Sequence, residues 1–327
     1  MTLTADSFPD LGGEPADLPD TSFGLAIMLG IAYGASIGGA ATIVGSPPNA
    51  VLAGVAKSRL GLDIGFLEWM MVGVPIAAVF LLVTWALLVV LLRPTVERRP
   101  GRIDVVEEQL AELGPMTVGE RRALAVFGVV AGGWVVRPFL LQPVMPALTD
   151  AMIAVVGAVL VFLVPVDGER LLDWEDTSRV PWGVLLLLGA GFSMARGFQE
   201  SGLDVVVAER LTEVGTAGLA GTVLLVATVV ILLTNVTSNT ATASLFMPIA
   251  ASIGLAIGVT PLTLMATAAF AASFAFVLPV ATAPNAIVFG SGYVTIPQMA
   301  RVGLALTLPA ILVIAAFAIW WIPVVWT

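Results

Sequence analysis

Residues 234–248 read Thr-Asn-Val-Thr-Ser-Asn-Thr-Ala-Thr-Ala-Ser-Leu-Phe-Met-Pro, a run rich in hydroxyl and amide side chains. It directly follows the apolar segment Leu219–Leu233, and apolar sequence continues to Ile257. Non-helical backbone at membrane depth is confined to the protein interior or to a cavity, because hydrocarbon offers no hydrogen-bond partner. The run therefore predicts a re-entrant hairpin over 234–257, with its tip at Ser238-Asn239-Thr240 and its return arm starting at Met247-Pro248. A Ser/Thr-rich contact between two helices is the alternative that this cluster alone leaves open.

The composition indicates a multi-pass membrane protein. The chain has 327 residues, of which 58% are hydrophobic and 11% are charged, and its mean hydropathy is +1.02. Several apolar runs reach or approach the length that spans a bilayer. We therefore expect the chain to lie in the lipid bilayer of the plasma membrane.

The residue types that are missing exclude several functions. Cys and His are both absent, which excludes Cys/His zinc sites and catalysis by a thiol or an imidazole. An intramembrane hydrolase using Ser238 would need a base, and neither a Lys nor a carboxylate lies near it in the sequence. The chain also has no basic patch for nucleic acid. We therefore predict a protein that is not an enzyme, with no cofactor and no nucleic-acid partner.

A second motif occurs twice in the chain. Ser46-Pro47-Pro48-Asn49-Ala50-Val51 recurs 236 residues later as Thr282-Ala283-Pro284-Asn285-Ala286-Ile287. Pro-interrupted membrane segments in corresponding positions of two halves point to a transporter site near the bilayer midplane. Such breaks offer carbonyls to cations and N–H groups to anions. The pattern predicts an all-α polytopic fold with broken helices at 45–49 and 280–285.

Four regions follow from these features. They are a polar tail or loop over 1–22, a first-repeat portion over 23–92, a loop over 93–122, and a C-terminal repeat over 123–327. The loop over 93–122 carries six of the fourteen basic residues. The positive-inside rule therefore predicts a cytoplasmic loop, which includes an amphipathic helix over Val105–Leu113. The charged residues from Arg196 to Arg210 indicate an interfacial connector, and we expect seven to nine membrane-embedded segments in all.

The hairpin and the second break together have the chemistry of a sodium site. Carbonyls, amides and hydroxyls are suitable ligands for sodium, and a tip that faces a broken helix supplies all three. In the C-terminal half the candidates are Thr234, Thr237, Asn239 and the carbonyl of Ala281.

Three motifs taken together resemble the divalent anion/sodium symporter family, which comprises di- and tricarboxylate and sulfate carriers. The motifs are Gly38–Asn49, Ser238-Asn239-Thr240 and Ala281–Asn285, and the resemblance extends from about Phe23 to the C-terminus. It implies an inverted-repeat fold and sodium-coupled uptake of a small divalent anion (a dicarboxylate, citrate or sulfate). It also implies a homodimer in which a transport domain moves against a scaffold.

The resemblance also implies where the ligands bind. One sodium ion would occupy the C-terminal site, and the carbonyl of Gly45 would serve a second. The substrate would lie beside the Ser-Asn-Thr tip, with the Asn239 amide and the Thr240 hydroxyl donating to it. The implied substrate-binding residues are Ser46, Pro47, Asn49, Ser238, Asn239, Thr240, Thr282 and Ala283. No Arg or Lys lies in these motifs, so sodium and amide dipoles would have to offset the charge of the anion.

The sequence departs from the family pattern in one respect. The family carries a Ser-Asn-Thr hairpin in each repeat, whereas this sequence has one. Asn239 precedes Asn285 by 46 residues, and the same interval before Asn49 ends within Thr2-Leu3-Thr4. We therefore expect an incomplete first repeat, from an N-terminally truncated or mis-started chain; a split gene and a degenerate remnant are the alternatives. The alternative function is a non-transporting fragment or subunit that needs a partner chain to supply the missing half. The identity of the anion, and sodium versus proton coupling, stay open.

Overall fold

A computed structural model describes residues 22–94, 111, 113–166, 168–180, 182–203, 205–206 and 218–326, and most of these residues are helical. The helices are α1 (Ser22–Gly39), α2 (Pro47–Val55), α3 (Phe66–Leu92), α4 (Val118–Val136), α5 (Asp150–Leu163), α6 (Trp182–Ser201), α7 (Gly218–Thr234), α8 (Asn239–Ala256), α9 (Pro261–Ser273), α10 (Ala283–Gly290), α11 (Ile296–Ala316) and α12 (Ile322–Val325). Two short strands, β1 (Pro165–Val166) and β2 (Glu169–Arg170), form an antiparallel pair with Pro165 opposite Arg170. Most of the predicted tail over 1–22, most of the helix over Val105–Leu113 and part of the connector after Arg196 lie outside the described residues.

Helix length and apolarity support the membrane assignment. Within the described residues, five helices are long and apolar enough to cross a bilayer: Ser22–Gly39, Phe66–Leu92, Val118–Leu141, Asn239–Ala256 and Ile296–Val325. Three shorter apolar helices, α5, α7 and α9, accompany them. The prediction of an all-α polytopic membrane protein is confirmed.

The fold repeats one unit of three helices around each Pro-Asn motif. In the first copy α1 and α2 are separated by a break and α3 follows; in the second copy the same arrangement is made by α9, α10 and α11. The breaks lie upstream of their predicted positions, over 40–46 and 274–282, because the prolines begin the second helical halves. Pro47 and Pro48 lie in the first turn of α2, and Pro284 lies in that of α10. Proline suits a first helical turn, where its missing N–H would have no intrahelical partner.

The Ser-Asn-Thr hairpin consists of α7 and α8, joined by the short turn over 235–238. The predicted start of the return arm at Met247-Pro248 is wrong, since α8 begins at Asn239 and continues through Pro248. Pro248 is buried in α8, and its carbonyl accepts a hydrogen bond from Arg59 Nη1 at 2.7 Å. Neighbouring protein thus surrounds the proline and allows the helix to continue.

Buried aromatic rings pack between the two copies. Tyr33 of α1 lies edge-on to Phe276 in the second break, with ring centroids 5.0 Å apart. Phe80 of α3 stacks on Phe274 at 4.7 Å, and Trp69 lies 5.7 Å from Phe270 of α9. These rings bury large apolar surfaces, so they fix the two breaks close to each other.

Candidate substrate and sodium site

Hydroxyl groups link the two breaks in a reciprocal way. Ser46, the residue before α2, has its Oγ 3.3 Å from Ser273 Oγ at the end of α9. Thr282, the equivalent residue before α10, accepts a long hydrogen bond of 3.5 Å from Ser36 of α1. Each break therefore contacts the first helical half of the other copy. This crossing brings two motifs that are distant in sequence into one site.

The two asparagines of the repeated motif are fully buried. Asn49 Nδ2 donates to the carbonyls of Gly39 and Thr42, at 3.0 and 2.8 Å. Asn285 Nδ2 donates to the carbonyls of Ala275 and Leu278, at 3.0 and 3.2 Å. These bonds satisfy carbonyls that the breaks remove from helical pairing, which a membrane interior requires. Asn49 therefore serves its own break and does not reach the cavity described below.

Buried polar contacts hold the hairpin tip against the second break. Asn235 Oδ1 accepts the backbone N–H of Val277 at 2.9 Å, and its Nδ2 donates to the carbonyl of Ile231 at 2.7 Å. Thr234 Oγ1 donates to the carbonyl of Ala272 at 2.9 Å. Thr237, which is exposed, donates to the carbonyl of Leu233 and lies 2.6 Å from Thr242 Oγ1. The tip therefore has a fixed position relative to the second break.

The tip and the two breaks line a half-open cavity of about 420 Å³. Nine of the predicted site residues line it: Gly45, Ser46, Pro47, Ser238, Asn239, Thr240, Ala281, Thr282 and Ala283. Three others, Asn49, Thr234 and Thr237, do not line it. Its volume lies within the range that is usual for sites of small ligands.

The polarity of the cavity wall comes from neutral groups and helix ends. No charged side chain lines it among the described residues. Helices α2, α8 and α10 all begin at its wall, with Ser46, Ser238 and Thr282 as the residues before their first turns. Helix N-termini carry a positive dipole end, so this wall favours a bound anion. The first residues of α8 and α10 also offer backbone N–H groups, whereas α2 begins with Pro47-Pro48, which have none.

Asn239 has the geometry of a donor to such an anion. Its Oδ1 accepts both the backbone N–H and the hydroxyl of Thr240, at 2.8 and 3.3 Å. These bonds orient the amide, and Nδ2 makes no hydrogen bond within the described part of the chain. The amide nitrogen therefore has its donor capacity available in the cavity wall.

Comparison with known proteins identifies the family of this chain. The family model described as the sodium:sulfate symporter transmembrane region matches residues 8–327. The chain belongs to this symporter family. Among its curated relatives, the sodium-dependent dicarboxylate transporter SdcS of Staphylococcus saprophyticus is 38% identical over 310 residues, which cover 93% of this chain and 60% of that protein. The same transporter from Staphylococcus aureus matches with the same identity and coverage. The chain thus spans about 60% of the length of these relatives.

The symporter family match confirms the resemblance found in the three motifs. It also agrees with a multi-pass membrane protein, since the match includes all five helices that could cross a bilayer.

Two hydroxyl side chains of this cavity were missed by the sequence motifs. Ser36 and Ser273 line the cavity, near the C-terminal ends of α1 and α9. They lie ten and nine residues before Ser46 and Thr282. Extending the repeat comparison upstream of the Pro-Asn motifs could have found both, because each is a polar residue late in an apolar segment.

Proposed function

We propose that this chain carries the substrate site of a sodium-coupled transporter for a small divalent anion, and that the anion is a dicarboxylate. The observation that supports this most directly is the uncharged cavity on which three helix N-termini converge. The sodium dependence and the dicarboxylate class named for the relatives agree with it.

The substrate contacts come from the hairpin tip and from the residues that begin α2 and α10. Asn239 Nδ2 and the backbone N–H groups of Asn239 and Ala283, the first residues of α8 and α10, donate to carboxylate oxygens. The proposed contact residues are Ser46, Pro47, Ser238, Asn239, Thr240, Thr282 and Ala283. Asn49 takes no part in this proposal, because its amide is already bonded to Gly39 and Thr42.

Two sodium ions offset the charge of the dicarboxylate, because the described cavity wall has no cationic side chain. One ion takes oxygen ligands from Thr234, Thr237, Asn239 and the carbonyl of Ala281. The other uses the carbonyl of Gly45. The hydroxyls of Thr234 and Thr237 already donate their protons to carbonyls, which leaves oxygen lone pairs for a cation. Anion binding without sodium would be costly in this low-dielectric setting, so coupling follows from electrostatics. We further propose a homodimer in the plasma membrane.

Uptake by purified protein tests the proposal. The chain is reconstituted into liposomes, and uptake of labelled succinate is measured with an inward gradient of sodium or of choline. We expect uptake only with sodium. We expect Asn239→Ala to reduce it about 10- to 100-fold, the effect of losing one or two hydrogen bonds to a charged ligand. Thr228→Ala is the matched control, since the hydroxyl of Thr228 bonds to its own helix, α7, and does not line the cavity.

Three results would contradict parts of this proposal. Equal uptake in choline would exclude sodium coupling. Wild-type uptake by Asn239→Ala would show that the substrate site is wrongly placed. Transport of sulfate but not of succinate would replace the substrate class.

A further inference from the structure

The buried asparagines of the two breaks form an equivalent pair that none of the roles above uses. Asn49 and Asn285 are separated by the 236-residue repeat, and both have no exposed surface. In each case Nδ2 donates to the carbonyls ten and seven residues earlier in the chain. Because the same pattern occurs in both copies, these hydrogen bonds are a structural feature of each break.

One carbonyl in each break accepts two hydrogen bonds. The carbonyl of Thr42 accepts the Gly45 N–H at 3.1 Å and Asn49 Nδ2 at 2.8 Å. The carbonyl of Leu278 accepts the Ala281 N–H at 3.3 Å and Asn285 Nδ2 at 3.2 Å. Each asparagine therefore anchors the peptide group to which the N–H of Gly45 or Ala281 is bonded.

The anchored residues are the ones whose carbonyls are proposed to bind sodium. Gly45 lies three residues after Thr42 and four before Asn49, and Ala281 lies in the same place between Leu278 and Asn285. Gly45 and Ala281 are thus each held on both sides. On the upstream side lies the carbonyl that accepts two hydrogen bonds, and on the downstream side lies the start of the next helix. A cation site needs its ligands fixed at short distances, which makes this anchoring important for affinity.

The chemistry of the side chain favours this role. The Oδ1 atoms of both asparagines are buried without a hydrogen-bond partner within the described residues. An unpaired buried acceptor destabilises a protein, so the benefit must come from the two N–H donors of the amide. A carboxylate of the same shape would lack these donors, and an aliphatic side chain would also remove the side-chain donor to the carbonyls of Gly39 and Ala275.

We propose that Asn49 and Asn285 are positioning residues for the two sodium sites, each holding the ligating carbonyl of its own break. This inference rests on the proposed function, which supplies the sodium sites. It predicts that each asparagine sets the affinity for sodium while having little effect on substrate contacts once sodium is bound.

The test measures sodium and substrate dependence separately in Asn49→Leu and Asn285→Leu. In liposomes containing the full chain, we expect the half-saturating sodium concentration to rise about 10- to 100-fold, as for partners that orient metal ligands. The succinate KM at saturating sodium should stay within about twofold of wild type, because no substrate contact is removed. Thr84→Val is the matched control: Thr84 is also buried with an unpaired oxygen, but it lies in α3 away from the cavity.

A second readout separates positioning from simple stability. Thermal denaturation of the detergent-solubilised protein is followed over a range of sodium chloride, with choline chloride as the reference, since a bound ligand raises the midpoint by mass action. If the asparagines position the sodium ligands, the rise of the denaturation midpoint with sodium should require a higher sodium concentration in both variants. If either Leu variant fails to fold, Asn→Ser at that position replaces it, with the same expectation.

The outcomes also separate this inference from the function on which it rests. A wild-type protein without sodium-dependent uptake or stabilisation would overturn the proposed function and this inference with it. A sodium-dependent wild type whose variants keep the wild-type half-saturating sodium, and merely denature at lower temperature, would overturn the inference alone.

Discussion

Two glycines allow long helices to touch the breaks of the repeated unit. Gly73 of α3 lies against the first break, where an added Cβ would be 2.6 Å from the carbonyl oxygen of Ala41. Gly303 of α11 lies against the second break, where an added Cβ would collide with the backbone carbonyl of Phe276. The same carbonyl accepts the hydroxyl of Tyr33 at 3.1 Å. Since backbone cannot move as a side-chain end can, these contacts require the smallest residue.

We therefore expect Gly303→Ala to destabilise the protein by about 1–3 kcal/mol, the range for overpacking of a well-filled interior. The clash displaces Phe276, so sodium-dependent uptake should fall as well. Thermal denaturation followed by tryptophan fluorescence measures the change. Gly128→Ala in α4 is the control, because an added Cβ there meets nothing within 4 Å. It should stabilise its helix by about 0.5–1 kcal/mol. An equal change in the denaturation midpoint for both variants would exclude a clash at Gly303 as the cause.

At the scale of residues, the sequence predicted well which residue types make up the candidate site. It predicted less well which of those residues line the cavity. The Ser-Asn-Thr tip and the paired Pro-Asn motifs, with the family resemblance that they carry, predicted nine of the residues that line the cavity. The resemblance implies a place there for Asn49 too, yet Asn49 bonds to the carbonyls of its own break. An amide beside a helix break can donate its hydrogen bonds either to a ligand or to backbone carbonyls. Sequence spacing does not reveal which one, because the loop carbonyls become neighbours only after folding.

At the scale of elements, the hairpin and the second broken helix act as one packed unit. Helix α9 is buried along almost its whole length, and α7 and α8 both pack against it. The sequence predicted the hairpin and both breaks, but the predicted boundaries differ from those in the structure. The sequence pattern predicts a helix end at each proline, whereas Pro47 and Pro284 begin helices and Pro248 continues one. Whether a proline ends, begins or continues a helix depends on the hydrogen-bond partners that surrounding helices offer to the freed carbonyls.

Thr234→Val tests the link between α7 and α9. The substitution keeps the shape of the side chain but removes the donor to the Ala272 carbonyl, which stays buried. We expect a loss of about 1–3 kcal/mol, the cost of a buried unsatisfied group, together with weaker sodium dependence of uptake. Thr228→Val is the matched control on the same helix, since that hydroxyl is exposed and bonds to Leu224. Equal denaturation midpoints for the two variants would mean that this bond does not hold the hairpin.

At the scale of the whole molecule, the arrangement of helices in the bilayer determines which side of the membrane each connection faces. Segment Val118–Leu141 has 24 residues. At 1.5 Å per residue it is about 36 Å long, which exceeds the hydrocarbon thickness of about 30 Å. The connection before it carries Arg93, Arg98, Arg99 and Arg102, and Arg121 and Arg122 lie in its first turns. The connection after it, over 142–149, has no basic residue. Lys and Arg are retained on the cytoplasmic side, so the two connections should face opposite compartments.

Cysteine labelling tests this orientation cleanly, because the natural chain contains no cysteine and gives no background. Met116 and Met145 are both exposed and lie on either side of the Val118–Leu141 segment, so each can carry a single reporter thiol. In intact cells we expect a membrane-impermeant maleimide to label Met145→Cys, and to label Met116→Cys only after permeabilisation. Labelling of both from outside would mean that the segment does not cross the bilayer. The reverse pattern would place the basic connection outside, where its arginines would oppose the membrane potential during insertion. The orientation would then have to be set by other parts of the protein.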